Sequence, residues 1–295
     1  MCGKLASIAA GFPKQPITAR MRADLPRSQT CGFIWKLIVN CPSSFSTMLF
    51  GASHVLVTVT VLITGCASVP VEAVQARNEN VVLLHGLART SRSMRKLERY
   101  LSDRGFNVTN IDYPSRKYPI DELVKYIDKE VKRCCSDTDR KLHFVTHSLG
   151  GIIIRAYLKE RHPENLGRVV MLSPPNQGTE VADKLRANPL FKAFAGPAGQ
   201  QLGTALTSVP NSLGPVEFDL GIITGSKSIN PLFSSWIPGT DDGAVSVARS
   251  KVAGMDDFLV VHHSHFFIMK SVEVIEQVSC FLDNGRFDKE NNNET

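Results

Sequence analysis

The stretch "LHFVTHSLGG" (residues 142–151) decides the fold. Its first half, entered through Lys141 as "KLHFV", is a short apolar run of the kind that forms a buried strand. Its second half turns through Thr146, His147 and Ser148 into "GIIIRAYLKER", long and apolar enough for a helix. A serine at such a turn is displayed above the sheet, beside the positive end of the helix dipole. The turn departs from the G-x-S-x-G spelling of a nucleophile elbow, because Thr146 stands at the first glycine position. A β-branched residue resists tight backbone, so Thr146 is expected to strain or reshape the elbow.

Working outward, "VVLLHG" (residues 81–86), "FNVTNIDYP" (106–114), "RVVML" (168–172), "DLGIITG" (219–225) and "FLVV" (258–261) read as further strands. Met94, Leu97 and Leu101 share one helical face, with Gly105 closing the helix. Ile120, Leu123, Val124, Ile127 and Val131 mark a second helix, with acids early and bases late. This alternation predicts a mostly parallel sheet covered by helices on both faces, with ligands beyond the carboxyl ends of its strands. His85-Gly86 and His147-Ser148 both fall there. The expected organisation is a leader over residues 1–65, a linker over 66–80, a domain over 81–285 with an apolar, Gly- and Pro-rich insertion at about 176–216, and a disordered polar tail over 286–295.

A serine hydroxyl is a weak nucleophile and needs a base within hydrogen-bonding reach and a group to orient that base. Asp241 and Asp242 in "GTDDGAVSV" supply the acid candidates, and Asp242 is preferred from the D-G register. His262, His263 and His265 follow a strand in "FLVVHHSHFF", whereas His147 is tied by chain adjacency to Ser148 and points elsewhere. Met94, Phe191 and Phe194 read as core. Trp236 suits either the core or the rim of a site.

Together "VVLLHGLART", "VTHSLGG", "SPPNQGTEVAD", "GTDDGAVSV" and "VHHSHFFIM" resemble the α/β-hydrolase superfamily, in particular bacterial lipase-like and esterase-like members, over residues 81–282. The resemblance implies an α/β fold with a mostly parallel central sheet and a cap built by the insertion. It implies Ser148 as nucleophile, Asp242 as acid and His265 as base, with an oxyanion hole from the backbone N–H groups of Leu87 and Leu149. The implied activity is hydrolysis of small-molecule or lipid carboxylic esters through an acyl-enzyme, with no metal or organic cofactor. An acyltransferase on the same residues and a non-catalytic binding protein of this fold are the alternatives.

The formal net charge of +6 is unevenly spread, since six basic residues and one acid lie before residue 37. Little net charge is left for the rest of the chain, and no basic stripe there suggests a nucleic-acid partner. Seven cysteines include the adjacent Cys134 and Cys135, and no CxxC pair suggests a zinc site. Residues 37–71 contain no charged side chain, and "VLVTVTVLITGC" ends at Cys66 after an apolar run too short to span a bilayer. The "ITGC" ending resembles a bacterial lipobox, which implies a signal peptide with a start assigned too far upstream. A lipidated Cys66 would then hold the protein at the bacterial envelope, against a cytoplasmic location if the leader is no signal.

Overall fold

The computed structural model describes residues 75–289, so the leader, Cys66 and the last six residues lie outside the described residues. Strand β1 (Glu79–Leu84) leads through a 3-10 turn to α1 (Arg95–Ser102), and β2 (Asn107–Ile111) is followed by α2 (Ile120–Cys134). Strand β3 (Lys141–His147) runs into α3 (Leu149–Glu160), and β4 (Leu166–Leu172) opens the insertion, which carries α4 (Glu180–Leu185), α5 (Pro189–Gln200) and α6 (Val209–Ser212). The chain returns through β5 (Leu220–Gly225), α7 (Pro231–Ser234), α8 (Val247–Ser250) and β6 (Asp257–Val261), and ends with α9 (Val272–Asn284).

The six strands form one parallel sheet in the order β2-β1-β3-β4-β5-β6. Their period of two splits the core into two layers. Val82, Leu84 and Phe144 pack with α2 and α3 on one face, while Val81, Leu83, Val145 and Val170 pack with α1 and α9 on the other. Residues buried on both sides explain why the strands read as continuous apolar runs. The order reverses between β1 and β3, which lie side by side although β2 comes between them in the chain. A crevice forms at such a reversal, and the loops after these two strands carry His85-Gly86 and His147-Ser148.

The C-terminal boundary differs from the expectation. Phe287 is buried against Phe281, its N–H bonds Asp257, and the Asp288 N–H bonds Gln277 at 2.9 Å, so residues 286–289 are packed rather than part of a loose tail. The apolar ring supplies the burial that a polar composition hid. Among the described residues no helix is long and apolar enough to cross a membrane.

Histidine 143 lies buried on β3, its Nδ1 accepting from the Arg168 N–H at 2.8 Å and its Nε2 lying 3.8 Å from Glu79. Burial first, then the charges of Arg168, Lys141 and Arg77, push its pKa from 6.5 down to about 4. The unfolded chain takes up this proton before the folded chain does. Stability from the neutral ring is therefore present above about pH 6.5 and is lost as pH falls towards 4, by about 3 kcal/mol. Urea unfolding across that window should show the loss, and His143→Gln should flatten it; an unchanged slope in the variant would assign the effect to other groups.

Candidate active site

Ser148 sits between β3 and α3 with φ 52° and ψ −120°, a conformation that L-residues rarely adopt. The turn is held because the Ser148 N–H donates to the Leu172 carbonyl at 2.9 Å and the Gly151 N–H donates to the Ser148 carbonyl at 2.9 Å. The strain, about 1–3 kcal/mol for such a residue, is sustained by the strand on one side and the wholly buried start of α3 on the other. Its result is an Oγ raised above the sheet. That hydroxyl donates to His265 Nε2 at 3.0 Å, and His265 Nδ1 donates to Asp242 Oδ2 at 2.9 Å.

Each partner is fixed by its own loop. Asp242 is fully buried, and its second oxygen accepts from the N–H groups of Ala244 and Val245 at 3.0 and 2.8 Å. Its carbonyl accepts from the His265 N–H at 2.9 Å, so acid and imidazole are tied by backbone as well as side chain. Asp241 takes a different part, accepting from Ser234 Oγ and the Gly243 N–H at 2.7 Å each. It closes the turn and does not reach the histidine. His263 pairs with Glu273 at 3.2 Å, and His262 points to solvent.

The loop after β1 approaches Ser148 at Gly86, where a Cβ would stand 2.6 Å from His147 Nδ1 and 3.1 Å from Ser148 Cβ. Only glycine fits there. His85 braces the loop: its Nδ1 donates to the Gly86 carbonyl at 2.9 Å, its Nε2 accepts from the Tyr113 N–H at 3.3 Å, and its ring stacks on Tyr113 at 4.2 Å. Burial lowers the His85 pKa, consistent with a neutral brace, and burial raises that of the Tyr113 phenol, which donates to the His85 carbonyl. The N–H groups of Leu87 and Leu149 donate to no acceptor among the described residues. These two backbone donors stand one residue beyond Gly86 and one beyond Ser148 in the chain.

Thr146 does not strain the elbow. It is a regular β3 residue, in register with Leu84 and Met171, and the unusual backbone falls on Ser148 alone of the elbow residues. Extended geometry suits a β-branched side chain, so the missing glycine costs nothing in φ. Thr146 is fully buried and its Oγ1 has no hydrogen-bond partner among the described residues. Thr146→Gly is expected to keep its turnover while losing about 1–2 kcal/mol of stability through a freer strand and a small void. Thermal melts and initial rates would check this; an inactive but folded variant would show that the side chain aligns the elbow.

Met94 is core as expected, but Phe194 is 57% exposed and Trp236 stacks on Phe233 at 5.5 Å outside the core. Two contributors escaped the sequence reading. His147 is buried with its Nε2 donating to the His265 carbonyl at 2.9 Å, and burial, then the neighbouring His265, holds its pKa well below 6.5. Arg89 donates to the Phe266 carbonyl at 3.1 Å and so spans from the first loop to the histidine loop. Adjacency to Ser148 was a signal for His147; nothing local marked Arg89. Among the described residues no cluster of side chains could hold a metal ion.

The insertion is stitched to the acid turn. The Thr179 hydroxyl donates to the Ala244 carbonyl at 2.5 Å, and Glu180 at the start of α4 pairs with Arg249 on α8. Arg155, buried in α3, donates to the Asn176 carbonyl at 2.9 Å and the Gly214 carbonyl at 2.6 Å, which clasps both ends of the insertion to the sheet layer.

The sequence model of the palmitoyl protein thioesterase family matches residues 80–208, a span that holds Ser148 and ends before Asp242 and His265. No curated protein sequence matches the chain. In solved structures the chain is similar to a lipase of Bacillus licheniformis in its mature form, at 19% identity and a TM-score of 0.55 over 73% of this chain and 95% of that one. It is also similar to phospholipase PlaB of Legionella pneumophila, at 18% identity and a TM-score of 0.56 over 68% of this chain and 57% of that one. A metagenomic carboxyl esterase matches at 14% identity and a TM-score of 0.59 over 71% of this chain and 77% of that one. The parallel six-stranded sheet and these likenesses together give the chain the α/β-hydrolase fold, in the company of lipases and esterases.

Proposed function

We propose that the protein is a serine hydrolase that cleaves carboxylic esters through an acyl-enzyme. The observation that carries this reading is the chain of hydrogen bonds from Ser148 through His265 to buried Asp242, at the sheet's point of reversal. In this mechanism His265 takes the Ser148 proton as Oγ attacks the ester carbonyl, and Asp242 holds the imidazole in the tautomer that leaves Nε2 free to accept. The tetrahedral oxyanion is met by the N–H groups of Leu87 and Leu149, with the α3 N-terminus adding favourable field. His265 then protonates the leaving alcohol, and water, deprotonated by the same nitrogen, releases the acid. The sequence match to palmitoyl protein thioesterases favours a second substrate class, thioesters, on the same residues.

A panel of p-nitrophenyl esters of graded acyl length, run beside acyl thioesters of the same lengths, tests both. Turnover of the oxygen esters is expected. Inactivity of a well-folded sample on the ester arm, with the thioester arm active, would move the assignment to the second class, and inactivity on both would end it. Envelope attachment through Cys66 belongs to the same proposal, supported by the lipobox-like "ITGC". Mass spectrometry of the processed N-terminus tests it, since an unacylated Cys66 inside a longer chain would remove the anchor.

A further inference from the structure

A cleft of about 670 Å³ opens beside the loop after β1, and it is bounded by Arg89, Asp112, Ser115, Arg116, Lys117 and Tyr126. Three of these side chains are cations, and among the described residues none of the three is ion-paired with a carboxylate. Asp112, the lining's single acid, accepts from the Ser91 N–H at 3.0 Å and is ion-paired with none of the three cations. Positive charge is therefore left over along an open cleft, with Arg89 half-buried and Arg116 and Lys117 exposed, where it raises the local potential for an anion. Arg89 uses one guanidinium N–H on the Phe266 carbonyl and lies over the Phe266 ring at 5.4 Å, and its other donors have no hydrogen-bond acceptor among the described residues. A half-buried guanidinium with donors to spare is poorly served by the protein alone.

The cleft is also built. Arg116 lies over the Phe194 ring at 5.8 Å, so an aromatic of α5 helps hold its direction. Its carbonyl abuts Gly196, which has φ 63°, and a Cβ there would stand 1.8 Å from that oxygen. Helix α5 can dock on this segment only because residue 196 has no side chain. The Ile120 N–H donates to Gln201 at 2.8 Å, which fastens the far end of the contact. The cleft also adjoins the site: it begins at Ala88, one residue after Leu87, and Arg89 bonds the carbonyl of the residue after His265.

We propose that this cleft is a subsite for an anionic group, a carboxylate or a phosphate, carried on one arm of the ester substrate, so that charged esters are preferred over neutral ones of the same shape. The proposal rests on the ester-hydrolase reading, and its test separates the two. Two matched pairs place the charge on different arms. Mono-p-nitrophenyl glutarate against p-nitrophenyl valerate puts it on the acyl side; butyrylglycerol 3-phosphate against monobutyrin puts it on the alcohol side. With the full chain at low salt, kcat/KM for the anionic member of one pair is expected to exceed the neutral one by about tenfold, and the excess should shrink as ionic strength rises. In the double variant Arg116→Gln, Lys117→Gln the ratio should fall towards one; both side chains are exposed, and a thermal melt verifies the fold. Calorimetric titration with glutarate and with glycerol 3-phosphate reads the subsite without turnover. Neutral preference or parity in both pairs, a ratio unmoved by the variant, or no binding of either anion would overturn the subsite. Anion binding that the variant loses, with no ester cleaved, would fell the hydrolase reading and leave the anion site standing.

Discussion

Ser148→Ala is expected to abolish labelling by a fluorophosphonate probe and, on the proposed reading, to lower ester turnover by about 10⁶-fold, the scale seen when a nucleophile is removed from a triad that acts as a unit. The expectation follows from geometry. The Ser148 hydroxyl is the group that donates to His265 Nε2, and the backbone beneath it is already committed to φ 52°. Alanine carries the same Cβ into the same backbone, so the elbow's strain is unchanged and stability should move by less than about 1 kcal/mol. A melt beside the labelling experiment would separate lost chemistry from lost folding. Labelling that persists in the folded variant would place the nucleophile at another residue.

Asp242→Asn comes next in size, with kcat falling by about 10⁴-fold, as in other triads whose acid is made neutral. An asparagine oxygen can still accept from the Ala244 and Val245 N–H groups, so the turn survives. Its amide nitrogen then faces His265 Nδ1, and two donors cannot share that contact. The ring takes the other tautomer, its Nε2 carries a proton, and Ser148 has no base. Asp241→Asn is the contrast, because that side chain accepts from Ser234 and Gly243 and lies off the histidine. It is expected to cost no more than about tenfold. Equal losses at the two positions, measured as kcat on one good ester, would undo the choice between the two carboxylates.

Much of this could be read before any coordinates, for identifiable reasons. The strands around "VVLLHG" and "KLHFV" are buried on both faces, so their apolar runs are uninterrupted. The face of α2 is legible from Ile120 to Val131 because a half-covered helix must alternate its residues at 3.6. Reading failed where a letter stood in for a conformation. Thr146 looked disruptive at a glycine position of a motif, whereas the backbone requirement lies two residues later. Phe194 was given to the core on apolar character, yet on α5 it covers an arginine at the surface. Arg89 and His147 owe their places to contacts with carbonyls about 118 to 177 residues away in the chain, which no local pattern encodes.

The stitch between the insertion and the acid turn has an evolutionary consequence. The Thr179 hydroxyl holds the Ala244 carbonyl, and the Ala244 N–H holds the Asp242 carboxylate. Two hydrogen bonds thus separate the insertion from the carboxylate that holds the imidazole. A lineage exploring new substrates by remodelling this insertion cannot treat it as an exchangeable part. On the proposed reading, replacements that keep a hydroxyl at position 179 leave the Asp242 turn in place, and those that lose it are expected to alter selectivity and rate in one step.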